Sequence, residues 1–145
     1  MSKEKKGFTL VELLVVIAIL GVLAGTVTVA VVRHLDSAKV ERAKWDIGNF
    51  IIALKSYYID VGSYPSASEG LQALITMPPG LAGTTKWKRP YLEDISVQKD
   101  PWGNDYIYNT PGEEDRDFDI ISYGKDGEAG GEGLNADITS YNYKQ

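Results

Sequence analysis

From Phe8 to Val32 the chain reads FTLVELLVVIAILGVLAGTVTVAVV, 25 residues with a single charge, Glu12. No other feature limits the possible fold so strongly. A helix of this length can cross a bilayer with some tilt. Lys3, Lys5 and Lys6 precede it, which predicts a cytoplasmic N-terminus. A secretory signal peptide is the rival reading. Its apolar core runs about 7 to 15 residues and ends at a small-residue site, whereas this run is longer and flows into a helical pattern without a break. Gly21 and Gly25 form a G-x-x-x-G pair, which permits close helix contact in a membrane. Glu12 is the anomaly, because an ionised acid inside a bilayer is expensive unless paired. Either it snorkels to the interface or it meets a cation. Nothing positive lies within the run, so the cation would be a leader lysine or a new α-amino group made by cutting the chain.

After Arg33 the pattern becomes amphipathic. Val40, Ala43, Ile47, Phe50, Leu54 and Tyr57 recur at three- and four-residue spacing, with Lys39, Glu41, Arg42, Lys44, Asp46 and Lys55 largely between them. This predicts that the helix continues to about Asp60 and packs its outer half on a globular head. Val61-Gly62-Ser63-Tyr64-Pro65 ends it. Ser66-x-x-Glu69 reads as a capping box before Leu71, Ala73, Leu74 and Ile75, so a short helix is expected there, closed by Met77-Pro78-Pro79-Gly80. Residues 81–96 read as irregular, with Trp87 and Tyr91 as packing anchors. Asp100-Pro101-Trp102-Gly103 is a turn. Residues 106–108 and 118–123 read as two strands joined by an acidic loop, with a third short strand around Tyr141 to Tyr143. The expected class is α+β, without internal repeats.

Charge and composition exclude several functions. Net charge is −5, and from Glu93 onward thirteen acids face only Lys99, Arg116, Lys125 and Lys144. Such a surface repels phosphate, so no nucleic-acid partner is expected. The absence of cysteine excludes disulfides, thiol catalysis and thiolate metal sites. The single histidine, His34, sits just beyond the apolar run and reads as a membrane-surface residue rather than a base. There is no P-loop and no nucleophile elbow. Glu113, Glu114 and Asp115 lie in a loop with no apolar pocket to raise their pKa values, so no enzyme is expected. Residues 124–137 supply Asp126, Glu128, Glu132, Asn135 and Asp137 among five glycines. Calcium takes about six to eight oxygens from carboxylates and carbonyls, and glycines let a chain curl round it. EF-hand spacing is absent. On the residues alone, a calcium loop and a mobile acidic loop both stay open.

Four stretches carry a family resemblance. The first is Gly-Phe-Thr-Leu-Val-Glu at Gly7 to Glu12 behind a short basic leader. It resembles the class III signal of type IV pilins and type II secretion pseudopilins. The resemblance implies that a membrane prepilin peptidase cuts after Gly7 and N-methylates Phe8. It also makes Glu12 the fifth residue of the mature chain, free to pair with the Phe8 amine of a neighbouring subunit, so that its buried charge is satisfied only in an assembly. The head narrows the family. S-Y-P-x-x-x-x-G-L-x-A-L (Ser63 to Leu74), D-P-W-G-N-x-Y (Asp100 to Tyr106) and the Gly- and acid-rich stretch from Ser122 to Ile138 resemble the major pseudopilins, or G subunits, of type II secretion. In that family the C-terminal loop holds a structural calcium ion. Carried over, Asp126 and Asp137 are the acidic ligands, the Tyr123 carbonyl is a backbone ligand, and Glu132 is a middle candidate.

These readings imply a pilin-like α+β protein with three parts: a cleaved leader at 1–7, a membrane and assembly helix at 8–32, and a periplasmic head at 33–145. A small antiparallel sheet and a calcium loop belong to the head. The expected role is the major subunit of a pseudopilus, a short periplasmic filament that drives export of folded proteins across the outer membrane. Its expected partners are further copies of itself, minor pseudopilins, the prepilin peptidase and an inner-membrane assembly platform. Two alternatives stay open: a type IV pilin for adhesion or motility, against which the missing cysteine pair weighs, and a membrane-anchored head that binds a soluble ligand.

Overall fold

A computed structural model describes residues 7–93 and 99–144, with the side chains of 25–33 outside the description. The leader lysines therefore lie outside it. The chain divides into two compact units at Asp36/Ser37. Helix α1, Leu10–Val61, contributes its first part to one unit and its second part to the other.

In the first unit α1 begins with a cap. Thr9 Oγ1 accepts a hydrogen bond from the Glu12 backbone N–H at 3.2 Å, and Thr9 O accepts one from Leu13 N–H at 3.2 Å. A threonine followed three residues later by glutamate satisfies one of the four N–H groups that a helix start leaves without partners. The helix here is apolar on every side. Its large apolar side chains from Leu10 to Leu23 are 44–79% exposed.

In the second unit α1 buries one face. Ala43, Ile47, Phe50, Ala53, Leu54, Tyr57 and Val61 all fall in the core, as the three- and four-residue spacing predicts. Gly62 stops the helix. It takes φ of +91°, which costs a residue without Cβ little, while its N–H still donates to Tyr58 O at 2.8 Å.

The capping box forms next. Ser66 N–H donates to Glu69 Oε2 at 2.8 Å, and Glu69 N–H donates back to Ser66 Oγ at 3.3 Å. The short helix that follows, Gly70–Leu74, is a 3-10 helix rather than an α-helix. Gly70 at φ +58° interrupts the preceding turn, and Leu71, Ala73 and Leu74 still reach the core. Trp87 and Tyr91 behave as anchors. Trp87 Nε1 donates to Ala73 O at 3.0 Å, and the Tyr91 ring meets that of Tyr57 edge-on at 5.4 Å.

Strands β1 (Ile107–Asn109), β2 (Asp119–Ser122) and β3 (Ile138–Thr139) form one antiparallel sheet in that order. Ile107 lies opposite Ile121, and Ser122 opposite Ile138. The third strand thus precedes the expected Tyr141–Tyr143 stretch, which is a turn instead. Asn142 accounts for the difference. Its Oδ1 accepts from Thr139 N–H at 2.8 Å while its own N–H donates to Thr139 Oγ1 at 3.2 Å, so the chain folds back before the tyrosines can pair. The Arg116 guanidinium also lies over the Tyr141 ring, 4.1 Å from its centre.

Helix and sheet meet through an aromatic and a charge. The rings of Phe50 and Tyr106 meet edge-on at 5.1 Å. Tyr106 then donates its hydroxyl to buried Asp46 at 3.1 Å, and Arg42 Nε holds the other Asp46 oxygen at 2.8 Å. Burial and the Asp46 charge push the Tyr106 phenol far above its ordinary pKa, so it stays a donor. Beyond β1, Arg116 donates to buried Asp119 at 2.6 Å and to Glu114 at 2.8 Å, and this ties down the acidic loop.

Candidate functional site

Two places carry the expected chemistry, one in each unit. At the N-terminal end, Gly7, Phe8 and Glu12 are all exposed. Among the described residues no atom lies within 4 Å of where a Cβ on Gly7 would stand. The Glu12 backbone is committed to Thr9, and its carboxylate stands on the surface of an apolar helix. Among the described residues no helix is long and apolar enough to cross a membrane. The run from Phe8 to Val32 leaves the described side chains after Ala24.

The second place is the loop between β2 and β3. Gly124, Gly127, Gly130, Gly131 and Gly133 all take positive φ. Two of them are required by close approach. A Cβ on Gly124 would stand 2.9 Å from Leu134 O and 3.0 Å from Ala136 O, and one on Gly131 would stand 2.6 Å from Asn135 O. The loop therefore closes on itself with three successive carbonyl oxygens against glycine backbone. Lys125 N–H donates to Leu134 O at 3.0 Å across it.

The expected ligands are arranged unevenly on this frame. Asp126 is exposed and accepts from Glu128 N–H at 3.2 Å. Asp137 is half-buried, and both its oxygens accept from Gly130 N–H at 3.0 Å. Glu132 is exposed, and its carbonyl accepts from Asn135 N–H at 3.2 Å. Among the described residues no three acidic or histidine side chains gather closely enough to hold a metal ion. A cation here would draw on few carboxylates and several carbonyls. That donor set suits calcium, which accepts backbone oxygens freely, and does not suit a transition metal. The carbonyls of Leu134, Asn135 and Ala136 pack against Gly124 and Gly131, and that of Leu134 already accepts from Lys125 N–H.

Known proteins give the two places a common context. Residues 30–141 match the family described as type II secretion system (T2SS), protein G, and residues 2–28 match the prokaryotic N-terminal methylation motif. The chain belongs to the type II secretion protein G family. The core protein G of Pseudomonas aeruginosa is 42% identical over 140 residues, 96% of each chain. That of Vibrio cholerae is 40% identical over 147 residues, covering 98% of this chain and 97% of its own. The crystal structure of the major pseudopilin from the type 2 secretion system of enterohaemorrhagic Escherichia coli aligns with a TM-score of 0.59 at 30% identity. It covers 76% of this chain and 90% of that one. The methylation motif takes in Gly7, Phe8 and Glu12, and the family domain takes in the whole C-terminal loop.

Two residues outside the expected site set contribute to these places. Thr9 caps α1 by accepting from Glu12 N–H, with the T-x-x-E spacing of a capping signal inside the apolar run. Asn104 reaches the loop from the turn at 100–103, with Nδ2 donating to Gly124 O at 3.2 Å. His34 is exposed, as are Glu113, Glu114 and Asp115.

Proposed function

We propose that this chain is the major structural subunit of a type II secretion pseudopilus and not an enzyme. The prepilin peptidase cuts it between Gly7 and Phe8 and methylates the new Phe8 amine. Phe8 to Val32 anchors it once through the bacterial inner membrane, with the head in the periplasm. Copies then leave the membrane to form a filament with minor pseudopilins, on an inner-membrane platform.

The observation that carries this reading is the bare apolar helix. A helix that is apolar all round has no stable place in water and needs lipid or a sleeve of other helices. Among the described residues of the first unit, the large apolar side chains from Phe8 to Leu23 stay exposed. Both environments arise in turn for a subunit that is first a membrane protein and then part of a helical bundle. Glu12 supplies direction. Its charge is costly in lipid, and pairing with the cationic Phe8 amine of a neighbour removes that cost only in register.

We propose further that Asp126, Asp137 and the Tyr123 carbonyl, with Glu132 as a further candidate, hold a structural calcium ion. When bound, the ion supplies a cross-link across a loop that has no disulfide. Chelation with EDTA then lowers the melting temperature of the head; an unchanged melting curve would sink this part. The assembly reading is tested by expressing the chain with and without prepilin peptidase, and as Glu12→Ala, while following cleavage and filaments. Normal filaments from an uncleaved chain or from Glu12→Ala would overturn it.

A further inference from the structure

We propose that Asn104 is a positioning residue for the calcium loop, holding the arc from Gly124 to Gly127 that carries Asp126, and that Asp100 fixes Asn104 in turn. The proposal rests on the reading of that loop as a calcium site. Asp100 is buried, and its carboxylate accepts from Trp102 N–H at 3.0 Å, Asn104 N–H at 2.8 Å and Ser122 Oγ at 2.7 Å. Asp100 N–H donates to Asn104 O at 2.7 Å, which closes the turn. The backbone of Asn104 is therefore held on both sides by a single aspartate.

The Asn104 side chain then meets the loop twice. Nδ2 donates to Gly124 O at 3.2 Å. Gly127 packs so closely that a Cβ there would stand 3.1 Å from Asn104 Oδ1. Ser122 adds a third tie, accepting from Gly124 N–H at 3.3 Å while donating to Asp100. Asp126 lies between the two gripped glycines. Gly124 and Gly127 both take positive φ; Lys125 N–H ties the arc to Leu134 O within the loop, and Asn104 adds the tie from outside it. Groups that orient ligands without touching the metal commonly matter about 10- to 100-fold in affinity.

The test uses the full-length chain in detergent micelles, stripped with EDTA and titrated with calcium chloride by calorimetry, with melting curves in both states. The wild-type chain is expected to bind and to melt higher with calcium. Asn104→Ala is expected to weaken binding about tenfold or more, with the melting temperature in EDTA close to wild type. A merely structural role would lower melting equally in both states and leave the affinity alone. Asn104→Asp keeps the shape but turns an acceptor towards Gly124 O and adds a negative charge. Positioning predicts weaker binding for it, whereas simple charge attraction predicts tighter binding. It also carries the test if Asn104→Ala fails to fold. Wild-type affinity in Asn104→Ala, or tighter binding in Asn104→Asp, overturns the proposal. A wild-type chain with no calcium response overturns the site itself, and the proposal falls with it.

Discussion

Between Ala43 and Val61, helix α1 buries seven apolar side chains in the head; between Leu10 and Leu23, it leaves its large ones in the open. The residue types overlap and the backbone is the same helix. What differs is the pattern. In the second half, charges fill the positions between the apolar ones, so one face is enough and the head supplies its cover. In the first half, among the described residues, Glu12 is the one charge and the large apolar side chains stay uncovered. The first half is a demand on surroundings, and the second half is a demand on sequence.

The sharpest way to break this comparison is the same truncation in both halves. Phe50 is 1% exposed and meets Tyr106 edge-on, so Phe50→Ala should cost the head about 3–5 kcal/mol. Leu14→Ala should leave the head transition where it is. Denaturant unfolding of the full chain in detergent, followed by tryptophan fluorescence, measures both. A comparable loss from Leu14→Ala would show that the two halves share one core after all.

A smaller effect separates packing from polarity within the second half. Tyr106→Phe keeps the ring against Phe50 and removes only the hydrogen bond to Asp46. Bonds to charged groups contribute about 1.5–3 kcal/mol, so the loss should be clear yet below that of Phe50→Ala. A loss as large as that of Phe50→Ala would place the polar pin above the aromatic contact.

The acidic side of the head gives a pH test that the first half cannot mimic. Asp119 is 2% exposed, and burial alone would raise its pKa. Arg116 and the Glu113 N–H outweigh burial and hold it below the ordinary value of 3.8. Lys88 acts in the same direction on Asp60. A depressed carboxylate contributes stability that is present above its unfolded pKa and lost as pH falls through its folded pKa. The head should therefore keep this contribution at pH 5 and lose it below about pH 4. Arg116→Met should shrink the acid-side loss in melting curves between pH 2 and 7. An unchanged curve would mean that the pair does not couple to folding.

These tests also mark where sequence reasoning succeeds. The buried face of α1 was legible because its period is carried by many residues and survives local exceptions. The Ser66–Glu69 box was legible because its two partners are local. The third strand was misplaced because strand propensity in Tyr141 and Tyr143 is a weak average, while Asn142 decides the turn with specific bonds to Thr139. In the loop, the glycines announced a curl, but the contact of Asn104 with Gly124 spans 20 residues and no pattern encodes it.

The smallest effect concerns Thr9 and bears on what Glu12 does. Its backbone N–H serves the helix cap, and its carboxylate is the group proposed to serve assembly. Thr9→Ala should weaken the first turn by about 1 kcal/mol. That corresponds to roughly fivefold faster hydrogen exchange at the Glu12 and Leu13 amides, without moving the head transition. Thr9→Ser should restore protection. Glu12→Gln keeps the N–H and should leave exchange unchanged, yet it removes the charge proposed to pair with a neighbour's amine and should block filaments. If Glu12→Gln instead frays the helix and assembles normally, the acid is a capping residue and the case for charge-directed register fails. If Thr9→Ala blocks filaments while Glu12→Gln does not, the geometry of the helix start matters more than the charge.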